Sequence, residues 1–166
     1  MILLFQDEAL IKFHPALSRC WNKIGQRKEI QTFDNHGKSA IFGSVNPFTG
    51  ELIHTYGNTI NQIFFLEHLN EIKQKYHDKT IIIVLDNCKS HFTKKVQKFL
   101  DSNKNIFLLF LPPYSPDLNV IERLWQVLRK AVTNNFLFQS LEEVKTAASE
   151  FFKFLCSDEV KKICAI

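Results

Sequence analysis

Three short runs, ILLFQ (2–6), TIIIVLD (80–86) and IFLLFLP (106–112), are apolar at consecutive positions rather than at alternate ones. Strands of that kind are buried on both faces, so their sheet needs helices above and below it. The segments between them supply those helices. In NQIFFLEHLNEIKQKY (61–76), Phe65, Leu69, Ile72 and Tyr76 recur at spacings of three and four, the period of one helix face. Thr93 to about Leu100 turns Val96, Phe99 and Leu100 inward. Asn119 to about Val132 aligns Ile121, Leu124, Trp125, Leu128 and Val132. Ser140-Leu-Glu-Glu143 matches a capping box and opens a last helix to about Leu155. SAIFGSVNPFTGELIHTYG (39–57) reads as a hairpin around the loop Asn46-Pro47-Phe48-Thr49-Gly50. The order predicts an α/β domain whose sheet is mixed: parallel strands with helical crossovers, plus one hairpin. Residues 8–38 carry no clear pattern.

At 166 residues, one domain with one sizeable core is expected. No apolar run approaches the roughly 18–20 residues that cross a bilayer. The start, MILLFQDEAL, has neither the basic leader nor the small-residue cleavage site of a signal peptide. The expectation is a cytoplasmic protein with no membrane partner. Cys20, Cys88, Cys156 and Cys164 show no CxxC pair and no zinc-like spacing, so reduced thiols are expected.

The net charge of +4 is unevenly placed. Lys12, Arg19, Lys23, Arg27, Lys28 and Lys38 face only Glu29 and Asp34 within residues 12–38. Lys89, Lys94, Lys95, Lys98 and Lys104 face only Asp101 within residues 89–104. Clustered positive charge suits a polyanion such as DNA, and it equally suits a solvated surface.

Asp7 and Asp86 each follow a very apolar run, which places them at strand ends, where α/β sheets gather their ligand sites. Glu122 lies in the first turn of the helix after "LPPYSPDLN", with thirty-five residues between it and Asp86. Three carboxylates converging without a histidine or cysteine cluster suit hard cations, Mg²⁺ or Mn²⁺. Bound metal would also remove their mutual repulsion. Each acid has a plainer use. Asp7 could cap the next segment, Asp86 with Asn87 could make a strand-end turn, and Glu122 could close a capping box with Asn119.

The stretches "VLDNCKSH" (84–91) and "LPPYSPDLNVIERLW" (111–125) resemble the catalytic domain of DDE transposases of the mariner superfamily, especially the bacterial insertion-sequence branch. Asp86-Asn87 with His91 matches the family's second-acid motif, and Glu122 its third acid. "QDEA" (6–9) is similar to the first-acid region, at Asp7. Weaker likeness runs through 20–30, 40–52 and 140–148. The resemblance implies a ribonuclease H-like fold. It implies that Asp7, Asp86 and Glu122 hold two Mg²⁺ ions, with Mn²⁺ as substitute, for DNA nicking and strand transfer. Double-stranded DNA, at transposon ends and target, is the implied partner, in a homodimeric complex associated with the bacterial nucleoid. Asn87, Lys89, His91, Lys94, Lys95 and Asn119 are candidates for DNA contact or support of the site. The family usually has proline where this chain has Val120, which is expected to loosen the turn slightly. Residues 1–166 are expected to be the catalytic domain alone, the family's helix-turn-helix region lying in cis upstream or on a separate chain. A hydrolytic nuclease on the same fold, or a degenerate DNA-binding remnant, are the competing functions.

Overall fold

The computed structural model describes residues 1–12, 23–25, 29, 37–113, 115–134 and 136–166. Most of the 20–30 segment, with Arg19, Cys20, Arg27 and Lys28, lies outside the described residues. The strands are β1 (Ile2–Lys12), β2 (Lys38–Val45), β3 (Leu52–Gly57), β4 (Ile81–Leu85) and β5 (Ile106–Phe110). The helices are α1 (Gln62–Lys75), α2 (Lys94–Ser102), α3 (Ile121–Leu128), α4 (Leu141–Phe154) and α5 (Ser157–Ile163). Among the described residues, five strands form one mixed sheet in the order β3-β2-β1-β4-β5. β1, β4 and β5 run parallel, and β2 and β3 add an antiparallel hairpin.

Alternation along β1 sorts the core into two layers. Phe5, Ala9 and Ile11 join Ile41, Val45 and Val84 against α3, α4 and α5. Leu4 joins Ala40, Phe42, Ile81, Ile83 and Leu85 against α1 and α2. Helix starts follow ordinary capping chemistry. Asn61 Oδ1 accepts from the amides of Ile63 at 2.8 Å and Phe64 at 3.2 Å. Thr93 Oγ1 accepts from Val96 N, and Ser140 Oγ from Glu143 N. Glu143 itself reaches Gln139 N, one residue before the cap, so the box at Ser140 is not reciprocal.

The structure departs from the sequence reading in four places. β1 does not end before Asp7; its pairing with β2 carries it on to the Lys12–Lys38 pair. β5 is a sheet edge rather than a buried strand, and Phe107 and Leu109 are 53% and 56% exposed on its outer face. α3 stops at Leu128 and continues as a wider π-type turn, Arg129–Thr133. α5 was not visible in the sequence pattern.

The buried stripe of α3 is as expected: Ile121, Leu124 and Trp125 are fully buried and Leu128 nearly so. Leu124→Asp removes a core leucine and buries a carboxylate without a partner. It is expected to cost at least about 4 kcal/mol, a large share of a domain's stability. A urea unfolding midpoint equal to that of the unsubstituted chain would contradict this packing.

Described residues include no helix long and apolar enough to cross a membrane. Cys88, Cys156 and Cys164 are free thiols.

Candidate active site

Parallel pairing of β1 with β4 stops at Phe5–Val84, and β4 itself ends at Leu85. Beyond that point the sheet opens into a cleft of about 480 Å³, lined by Asp7, Asp86, Asn87, Asn119 and Glu122 among others. All three predicted carboxylates therefore border one space. Asp7 reaches it from within a strand that continues along β2, and Asp86 from the end of β4. Glu122 comes from the first turn of α3.

Each acid is set by a different local device. Trp125, one turn along α3 from Glu122, donates its indole N–H to Asp7 Oδ2 at 2.9 Å. The ring fits because Gly43 stands opposite Asp7 on β2. A Cβ there would lie 2.4 Å from the indole Cη2. Asp86 Oδ1 accepts from Cys88 N at 2.9 Å, the turn foreseen for a strand-end aspartate, while its side chain stays 55% exposed. Asn87 Nδ2 donates to Leu111 O at 2.6 Å, tying the end of β4 to the chain leaving β5.

Asn119 does not cap α3. Val120 stands at the N-cap of α3, already helical at φ −59°, with no side-chain cap bond. Asn119 is instead buried, and its Nδ2 donates to Gln6 O at 2.9 Å, anchoring the proline-rich turn to β1. Exchanging its amide atoms would set two carbonyl oxygens against each other, so that orientation is fixed. Its Oδ1 and Gln6 Oε1 are buried with no donor among the described residues. Val120 has the φ a proline would impose and packs in the core, so the loss of proline leaves the turn in place.

Burial, then the charges of Glu122 and Glu8, push the Asp7 carboxyl up to about 7, against opposing bonds from the Glu8 backbone and Trp125. A bare carboxylate is poorly accommodated there. A divalent cation would offset both the desolvation and the repulsion, and the three acids offer only hard oxygen donors. The donor set fits Mg²⁺ or Mn²⁺.

His91 is not on the surface. Its side chain is fully buried against Phe65. Its Nε2 lies 2.9 Å from Glu8 Oε1, and its Nδ1 is 3.2 Å from Asp86 O and 3.6 Å from Asp86 Oδ1. Burial pulls its pKa down, but Glu8 and the Asp86 carbonyl and carboxylate more than offset that and leave it above the usual histidine value. Glu8, Asp86, Cys88 and His91 bring ligand atoms within 4.8 Å of one another. Hydrogen bonds already engage both His91 nitrogens, so that group is closed as it stands. Lys89, Lys94, Lys95 and Lys98 are exposed on the following turn and on α2. Glu8 and Trp125 were missed as site residues, although Glu8 adjoins Asp7 and Trp125 lies one turn after Glu122.

The family described as DDE superfamily endonuclease matches residues 2–145. This chain belongs to that family. An insertion element IS630 39 kDa protein of Shigella sonnei is 28% identical over 152 residues, covering 91% of this chain and 44% of that protein. Protein y4pE/y4sA of Sinorhizobium fredii is 36% identical over 110 residues, covering 64% of this chain and 76% of that one. The mariner Mos1 paired-end complex with Mg superposes with a TM-score of 0.75 at 20% identity, over 98% of this chain and 51% of that one. This member of the DDE superfamily thus has the ribonuclease H-like fold, and it spans about half the length of the insertion-element and Mos1 chains.

Proposed function

We propose that this chain is the catalytic domain of an insertion-sequence transposase, in which Asp7, Asp86 and Glu122 hold two divalent cations. The observation that carries the reading is the meeting of these three acids in one cleft of a DDE endonuclease fold. Bound there, two cations would supply Lewis-acid stabilisation to the attacking and leaving oxygens of phosphoryl transfer. The chain's own residues prepare the ligands. Trp125 orients Asp7, the Cys88 amide orients Asp86, and Asn119 fixes the turn that delivers Glu122. The reaction is water attack on a phosphodiester, freeing a 3′-hydroxyl at the transposon end. That hydroxyl then attacks a target phosphodiester and displaces its 3′-oxygen.

DNA would lie across the cleft in the bacterial cytoplasm, with Lys89, Lys94, Lys95 and Lys98 contacting phosphates. Such contacts position a duplex without reading its sequence. A helix-turn-helix segment, in cis or on a partner chain, and a second copy of this chain would complete the assembly.

The test is nicking and joining of a labelled DNA end with Mn²⁺. Asp86→Asn and Glu122→Gln each remove a ligand charge at nearly constant volume. Each is expected to lower nicking by about a thousandfold, the equivalent of roughly 4 kcal/mol. Wild-type rates in either purified variant would refute the assignment. Nicking without any joining of a supplied 3′-hydroxyl end would point to a hydrolytic nuclease instead.

A further inference from the structure

Glu8 lies next to Asp7 in β1 but on the opposite face of the sheet, with α1 and the turn after β4. Its side chain is 4% exposed, an unusual place for a carboxylate without a partner. Its Oε1 accepts from Gln6 Nε2 at 3.1 Å and meets His91 Nε2 at 2.9 Å. The other nitrogen of the same ring reaches the backbone oxygen of Asp86. The imidazole therefore forms a bridge from β1 to the residue just past β4. β1 and β4 no longer pair at this level, since their ladder stops at Phe5–Val84. Asp86 is exposed; the Cys88 amide donates to its carboxylate, and His91 Nδ1 lies 3.6 Å from the same oxygen.

We propose that Glu8 and His91 are positioning residues for Asp86, a buried strut that replaces the missing ladder bonds and fixes this carboxylate for cation binding. The idea rests on the metal-binding reading above. Groups that orient a ligand from behind typically change metal affinity by about 10- to 100-fold when removed.

The test is Mn²⁺ binding by calorimetry and by electron paramagnetic resonance, without DNA or turnover. Absence of Mn²⁺ binding by the unsubstituted chain would sink the metal reading itself, and the strut with it. Given binding, Glu8→Ala and His91→Ala are each expected to weaken it about 10- to 100-fold. The double variant should be no weaker than the worse single one, because both changes break one bridge. Glu8→Gln keeps an acceptor for the ring N–H and is expected to stay within about threefold of the unsubstituted chain. Should an alanine variant fail to fold, His91→Gln carries the test, keeping one of the two contacts and weakening binding about tenfold. Unchanged Mn²⁺ affinity in folded Glu8→Ala, His91→Ala or His91→Gln would overturn the proposal. So would ¹⁴N coupling to bound Mn²⁺ that disappears in His91→Ala, since His91 would then be a ligand and not a strut.

Discussion

Asp7→Asn is expected to stabilise the cation-free chain at pH 8 while ending nicking. Burial comes first, then the charges of Glu122 and Glu8, in holding the Asp7 carboxyl at about 7 rather than the model-peptide 3.8. The folded chain thus keeps a proton that the unfolded chain has lost across that interval. Stability contributed by the protonated acid is fully present below pH 3.8. It falls as pH rises toward 7 and is gone above it. At about 1.4 kcal/mol per pH unit, the loss at pH 8 is about 4 kcal/mol. Asparagine carries no charge and still offers an oxygen to the Trp125 N–H. In a chelator, the variant should melt about 10 °C above the unsubstituted chain at pH 8, with the gap closing near pH 4. Mg²⁺ should raise the melting temperature of the unsubstituted chain and not that of the variant. Equal melting curves at pH 8 in chelator would mean that Asp7 is not held in this strained state.

Gly43→Ala is expected to damage stability and activity together. The added methyl would stand 2.4 and 2.7 Å from two indole carbons of Trp125 and 3.1 Å from Ile121 Cδ1. Trp125 is fully buried, so relief requires moving the ring and the helix that carries it. Overpacking of this kind costs about 1–3 kcal/mol. The same movement pulls the indole N–H from Asp7 and shifts Glu122 on α3. Displacement of about 1 Å at a reacting centre costs about a hundredfold in rate. Trp125→Phe separates the two effects by keeping most of the ring and removing the N–H. It should lose less stability than Gly43→Ala and still nick more slowly. Gly43→Ala at full rate and full stability would show that the close approach of ring and strand is not required.

The sheet, four of the five described helices and the convergence of Asp7, Asp86 and Glu122 were legible in the sequence because each depends on local pattern. Apolar runs mark β4, periodicity marks α1 and α3, and the proline-rich turn marks the approach to Glu122. What escaped is non-local. β1 runs past Asp7 because β2 pairs with it, and a window around Asp7 does not contain β2. Asn119 has the composition of a cap, yet its amide is taken by Gln6, 113 residues away. Trp125 read as a core anchor, which it is, but its N–H partner is 118 residues distant. α5 is short and its N-cap is Cys156, not a residue type expected there; Glu159 reaches back to the Cys156 amide instead. The Phe107 and Leu109 face of β5 looked interior because apolar composition does not distinguish a sheet edge from its middle.

β1 places two consecutive acids on opposite faces of the sheet, Asp7 toward α3 and Glu8 toward the buried His91. Side-chain chemistry along this strand can drift in evolution wherever packing allows. Its length upstream of Asp7 cannot. Gain or loss of one residue between Ile2 and Asp7 would turn Asp7 away from the indole, or else reverse the facing of the core residues before it. Descendants of this gene should therefore accumulate insertions and deletions in loops and leave the first seven positions of the strand uncut.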